Sequence, residues 1–532
     1  MRRSLLGAVA IAALALGFAA AAEAKTFVYC SEGSPEGFTP YFYTAGTTFD
    51  ASSRPIFNRL VEFKEGTTEI EPGLAESWEI SDDGLTYTFK LRQGVKFHSN
   101  KDFTPTRDFN ADDVVFTFER QWKPDHPFHK VSGGSYEYFQ GMSMGDALKA
   151  IEKVDDHTVR FVLTEPNSPM LSNLGMDFAS ISSQEYYEAM QKAGNAEKAD
   201  LQPVGTGPFM LVDYQKDAVI RYKANPDYWK GKPKIDDLVF AITPDASVRY
   251  AKLKSGECHL MPYPNPADIA AMKQDADLRV EEQEGLNVGY LGLNVEHPPL
   301  DKKEVRQAIN YAINRDAILE AVYQGAGKKA KNPIPPTIWS YNEATKDYDY
   351  NPDKAKELLK AAGVQTPLNL TLWAMPVQRP YNPNAKLMAE LMQADLKKVG
   401  IEAQITTFEW GEYLERSKKG EHDMVLLGWT GDNGDPDNFL QVLLGCSGAK
   451  DGTNRARWCN DEFEKLTQDA KKTADIAERT KLYEEAQLVF KEDAPWVTIA
   501  HSVVFKPMRK EVEGFKISPF GHHSFAEVDL AQ

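Results

Sequence analysis

After about residue 285 the chain alternates between two hydrophobic periods, and few folds accommodate that alternation. Asp301 is positioned to cap a helix in which Val305, Ile309, Ala312 and Leu319 share a face, ending at Gly325. Pro352 opens a second helix, 352–363, that stops at Gly363. Leu387, Leu391 and Ala394 mark a third, followed past Gly400 by an alternating strand from Ile401 to Phe408. Helices and strands in succession are the pattern of an α/β domain. Upstream, 74–97 reads as strand, Asp83-Gly84 turn, strand, with Tyr87, Phe89 and Leu91 alternating with polar residues. A helix is expected over 110–122 with Asn110 as its N-cap and Asp112 and Asp113 in its first turn.

The N-terminus directs the chain out of the cytoplasm. Arg2 and Arg3 precede an apolar run from Leu5 to Ala22 and then Ala22-Glu23-Ala24, the form of a secretory signal peptide cleaved after Ala24. No cysteine follows the cleavage point closely enough to take a lipid. The remaining residues of the 532-residue chain suffice for two or three domains. A net charge of −17 argues against a nucleic-acid or anionic-membrane surface. The 4 cysteines, in an oxidising compartment, suggest two disulfides, for which sequence allows three pairings. Cys446 and Cys459 are the natural local pair; Cys30 and Cys258 would then tie an N-terminal strand to a distant region.

Two loops carry the chemistry. Gly428–Phe439 (GWTGDNGDPDNF) sets Asp432, Asp435 and Asp437 among glycines and a proline, a composition that holds acids on a turn-rich loop. About fifty residues upstream, 374–384 (AMPVQRPYNPN) presents Arg379 between prolines. An aspartate and an arginine on stiff loops, with Trp429 and Tyr381 alongside, suit a ligand cationic at one end and anionic at the other, such as a free peptide. Asp435 and Asp437 read as turn-stabilising. The acidic cluster lacks the EF-hand pattern, and no metal or cofactor ligand set is expected.

Several long segments resemble the extracytoplasmic solute-binding proteins of peptide ABC transporters: 73–98 (GLAESWEISDDGLTYTFKLRQGVKFH), 109–120 (FNADDVVFTFER), 204–209 (VGTGPF), 225–236 (NPDYWKGKPKID), 305–318 (VRQAINYAINRDAI) and 350–363 (YNPDKAKELLKAAG). Segments 25–38, 129–139, 261–270, 373–385 and 428–439 look most like the dipeptide-binding members. The resemblance implies a periplasmic-binding-protein-like α/β fold: two α/β lobes around a ligand cleft plus an additional mixed α/β domain. Carried over, lobe I comprises 25–56, 206–282 and 503–532, the additional domain 57–205, and lobe II 283–502. Both cysteine pairs then fall within single lobes.

It further implies capture without chemistry. Asp432 accepts the ligand's α-ammonium and Arg379 its α-carboxylate. Trp429, Thr430 and Gly431, together with Pro380 and Tyr381, match the family's contact stretches, Thr44 matches a contact from the other lobe, and Tyr136 in SGGSYEYF is a further candidate. The expected partners are a dipeptide and an inner-membrane ABC permease, with a chemoreceptor as an additional partner of the closed form; a periplasmic monomer is expected. Oligopeptides, haem or aminolaevulinic acid are the alternatives within the family.

The rival class is a secreted peptidase, but the chain has no H-E-x-x-H zinc motif and no G-x-S-x-G elbow. Glu421-His422-Asp423 and His522-His523 are the nearest approaches to an acid–base cluster, and both read as surface residues.

Overall fold

The computed structural model describes residues 24–531. The leader and its cleavage motif lie almost wholly outside the described residues. Ala24 itself is exposed.

The strands sort into separate sheets. In the first, β1 (Thr26–Tyr29) lies parallel to β10 (Asp237–Ala241), which continues antiparallel through β9 (Val219–Ala224) to β8 (Phe209–Gln215). The Cys30–Cys258 disulfide joins the end of β1 to the segment beyond the helix Ala246–Ser255. A second, antiparallel sheet holds β4 (Ala75–Ile80), β5 (Thr86–Leu91), β7 (Thr158–Leu163) and β6 (Leu148–Asp155) in that order. A short ribbon, β2 (Val61–Phe63) with β3 (Ile70–Pro72), precedes it.

The largest sheet has the order β11 (Leu278–Glu284), β17 (Trp496–Arg509), β12 (Asn287–Leu293), β16 (Met424–Thr430), β14 (Leu368–Trp373), β15 (Ile401–Thr406), with β13 (Gly327–Lys329) also on β17. The chain is thus two α/β lobes, built on the first and last of these sheets, with an additional domain around the second. β17 links the lobes: its first half pairs with β12 and its second half with β11. At the changeover Gly285 donates to the Ser502 carbonyl at 3.0 Å, and Asn287, fully buried, takes the Ser502 N–H at 2.9 Å. A Cβ at Gly285 would lie 2.6 Å from the Ser502 oxygen, so the two crossing segments touch backbone to backbone.

Local expectations hold in several places. The β4–β5 turn is closed by Asp83, which accepts from Ser81 Oγ at 2.6 Å and Leu85 N at 3.0 Å, and Tyr87, Phe89 and Leu91 are buried. The helix Ala111–Trp122 begins with a capping box: Asn110 accepts from Asp112 N at 2.9 Å while Asp113 accepts from Asn110 N at 3.0 Å. The helix Pro352–Ala361 ends just before Gly363 at φ 70°. Both expected disulfides are present.

Two helix readings need correction. The helix expected from Asp301 to Gly325 is broken: it runs Lys303–Ala312 with Lys302 as N-cap, and Ile313 is extended. Asn314 then restarts helix at Arg315–Ile318, accepting from Ala317 N at 3.1 Å while its own N–H is taken by Asp395 at 2.8 Å. A five-residue π turn, Leu319–Tyr323, follows. In the helix Ala385–Lys398 the core face is Met388, Ala389, Met392 and Leu396; Leu387 and Leu391 are half-buried and Ala394 is exposed.

Candidate functional site

The acidic loop continues directly from β16. Gly431 N donates to the Leu286 carbonyl at 2.7 Å, and a Cβ there would meet the Phe439 ring at 2.6 Å. Asn438 Oδ1 accepts from both Trp429 Nε1 (3.1 Å) and Asp432 N (2.9 Å), fixing the two residues together. Beyond them, side-chain oxygens of Asn433 and Asp435 accept from the backbone two residues on, at 2.9 and 3.0 Å, and the chain enters the helix Asp437–Leu444. Asp435 is held by Arg479 Nη2 at 2.8 Å, both groups buried. Asp437 is fully buried, and burial raises its pKa to about 6. Asp435 thus serves the loop's structure, whereas the Asp437 carboxylate accepts no hydrogen bond among the described residues and has Lys471 Nζ 3.9 Å away.

Asp432 is different. Its carboxylate accepts a hydrogen bond from the Tyr138 hydroxyl, and no cationic side chain among the described residues lies within ion-pair distance. Burial lifts its pKa to about 7, against the lowering effect of Tyr138, with nearby Asp177 adding to the rise. Arg54 acts on Asp432 only from beyond ion-pair distance.

Arg379 lies against the opposite lobe. Its Nη1 is 3.1 Å from Glu32 Oε1 and its Nη2 donates to Thr47 at 2.9 Å, while Gln378 O accepts from Nη1 at 2.9 Å. The guanidinium carbon sits 5.2 Å from the Tyr263 ring and 5.3 Å from that of Trp410. Burial works against its charge, but Glu32 outweighs it and holds the group protonated. These contacts leave Nε and one Nη2 proton of the five donors uncommitted, a fork suited to a carboxylate.

Asp432 and Arg379 line one cavity between the lobes. Thr44, Pro380, Tyr381, Trp429 and Thr430 line it with them. Tyr381 packs its ring where a Gly428 Cβ would stand, 2.2 Å from the nearest ring atom, so that glycine makes room for the aromatic. Two predicted site residues are not on the wall. Gly431 is buried behind it, and Tyr136 is a core residue, its hydroxyl donating to His129 O at 2.8 Å and its ring packed on Tyr41 and Phe42. The aromatic that reaches the cavity is Tyr138, two residues on.

The sequence reading also missed Phe49, Tyr263, Trp410, Arg455 and His522, all on the wall. His522 and His523 are not surface residues. His523 is fully buried and bonded to Asp50 Oδ2 at 2.6 Å, and His522 is half-buried against Phe520 with its pKa pushed well down by burial. His422 is likewise buried, with Arg455 O 2.8 Å from its Nε2. No group of three or more His, Cys, Asp or Glu able to hold a metal occurs among the described residues. No described helix is long and apolar enough to cross a membrane.

Residues 69–451 match the family described as bacterial extracellular solute-binding proteins, family 5. The chain belongs to this family. Its members are extracytoplasmic solute-binding components of ABC transporters and not enzymes. A dipeptide-binding protein of Escherichia coli K12 is 59% identical over 530 residues, covering 100% of this chain and 99% of that protein. Heme-binding protein A of Haemophilus influenzae is 53% identical over 506 residues, 95% of this chain and 92% of its own. Among solved structures, the dipeptide-binding protein of Pseudoalteromonas sp. SM9913 in complex with Met-Leu superposes with a TM-score of 0.93 at 41% identity, covering 95% of this chain and 100% of that one.

Proposed function

We propose that this protein captures dipeptides in the interlobe cavity and delivers them to an inner-membrane ABC permease. The observation that carries this is the placing on one cavity wall of Asp432, an acid with no cationic partner among the described residues, and Arg379, whose Nε and one Nη2 proton are left over from its contacts with Glu32, Thr47 and Gln378. Asp432 takes the ligand's α-ammonium and Arg379 its α-carboxylate, with Trp429, Thr430, Pro380, Tyr381 and Thr44 packing the peptide between them. Charges fixed for two residues leave a third residue's carboxylate about 3.3–3.6 Å out of place. The printed names of the Escherichia coli and Pseudoalteromonas relatives support this ligand class.

We divide the chain into lobe I (25–56, 206–282, 503–532), an additional domain (57–205) and lobe II (283–502); the sheets β1-β10-β9-β8 and β4-β5-β7-β6 support the first two, while β11 of lobe I joins the lobe II sheet through β17. On this reading the mature protein begins at Lys25, acts as a periplasmic monomer, and presents its closed form to the permease and to a chemoreceptor.

The test is isothermal titration of the mature protein, stripped of carried ligand, with Ala-Ala, N-acetyl-Ala-Ala and Ala-Ala-Ala. Tight binding of Ala-Ala alone, with peptide recovered intact, is expected. Equal binding of all three would reject the two-anchor arrangement. The name of the Haemophilus relative makes haem the second ligand to titrate, and displacement of Ala-Ala by haem would place both in one cavity.

A further inference from the structure

Three charged groups on the cavity wall stand outside the two-anchor arrangement: Asp177 pairs with Arg54 and Glu137 with Lys418, whereas Arg455 has no ion-pair partner among the described residues. It is 6% exposed, and it is held rigidly. Its carbonyl meets His422 Nε2 at 2.8 Å, and the Cys446–Cys459 disulfide closes the loop that carries it. Its guanidinium has five donors to satisfy. Nε donates to Ser417 Oγ at 3.1 Å, while Nη1 is buried with no hydrogen-bond partner. Among the described residues no carboxylate lies within 4.0 Å of it, and the acid on the same wall, Glu137, is already taken by Lys418 at 2.7 Å. Glu36 acts on Arg455 electrostatically, but from beyond ion-pair distance.

A buried guanidinium with a single hydroxyl acceptor is costly unless an anion completes it. We propose that Arg455 receives a second carboxylate of the ligand, distinct from the α-carboxylate at Arg379, so that the cavity favours peptides carrying an extra negative charge. This rests on the peptide reading given above. The second carboxylate is that of an acidic side chain, which the planar fork of arginine suits.

The experiment is isothermal titration of the full mature protein and its Arg455→Met and Arg455→Lys variants, each checked for folding by thermal melting. The ligands are Ala-Ala and the matched pairs Glu-Ala with Gln-Ala and Ala-Glu with Ala-Gln. In the parent protein one glutamyl peptide should bind about 10- to 100-fold more tightly than its glutaminyl partner, the range of a charge-assisted hydrogen bond. Arg455→Met should bring that ratio to about one, with Arg455→Lys between, the ratio following the charge. Matched pairs within about twofold of one another in the parent, or a preference that survives Arg455→Met, would overturn the proposal. Should Arg455→Met fail to fold, the parent ratios and Arg455→Lys still decide it. Failure of the parent to bind Ala-Ala at all would instead defeat the dipeptide reading itself.

Discussion

Acidification should weaken ligand binding far above the pH at which ordinary carboxylates titrate. In the free protein Asp432 has its pKa raised to about 7 by burial, and it accepts an ammonium only when ionised. Between pH 7 and pH 5 a peptide amine stays protonated and its carboxylate stays ionised, so the ligand's own charges do not change. Affinity should then fall by the ratio of free-protein protonation factors, about 50-fold from pH 7 to pH 5. A carboxylate of normal pKa would leave the affinity flat over this range. At pH 7, binding should release about half a proton, seen as a dependence of apparent enthalpy on the buffer's ionisation heat.

The same group acts on stability with the opposite sign. Its folded-state pKa lies above the unfolded value, so its ionisation disfavours the folded protein. The cost grows as pH rises from about 4 towards 7 and is constant above that. Asp432→Asn should therefore melt higher than the parent at pH 8, with a ceiling of about 4 kcal/mol reduced by the group's partial exposure to the cavity, and the difference should vanish by pH 4. A pH-independent Ala-Ala affinity between pH 7 and 5, together with a variant no more stable than the parent at pH 8, would refute the assignment of Asp432 as an unpaired buried acid.

Other substitutions test other parts of the structure. Arg379→Lys should weaken Ala-Ala binding by about tenfold or more in titration, because an ammonium cannot replace a planar fork lodged between Tyr263 and Trp410. Asp435→Asn leaves buried Arg479 without its anion and should cost about 3–5 kcal/mol in chemical denaturation. Replacing both Cys446 and Cys459 by serine should cost about 3 kcal/mol and lower the melting temperature, with the Cys30–Cys258 link intact by mass spectrometry.

What could be read from the sequence was chemistry carried by short, stiff segments. Asn110 and Asp113 announce a capping box, Asp83-Gly84 a hairpin, and the Asp432 and Arg379 loops a pair of opposite charges, because each signal is complete within a dozen residues. The helix after residue 301 was misread because its break is set by Asp395, some eighty residues away, which draws on the Asn314 N–H. Asn314 is itself a cap signal, but one lying inside an otherwise unbroken apolar pattern. Tyr136 and Tyr138 are alike in sequence, and only the packing of Tyr136 onto Tyr41 and Phe42 decides which of them faces the cavity. Arg455, Trp410 and His522 belong to segments with no local mark of a site; their role arises where distant strands converge.

The passage of the chain between its lobes has a mechanical consequence. Two strands cross side by side, bonded at Gly285 and Ser502 and clamped by Asn287, so they act as a leaf spring with one soft direction. Bending across the ribbon flexes both strands together and keeps every rung between them. Twisting or sliding would have to shear Gly285 from the Ser502 oxygen on which it rests. Motion of the lobes is thereby confined to a single angular coordinate, and the cavity walls that part along it must meet again in the same register.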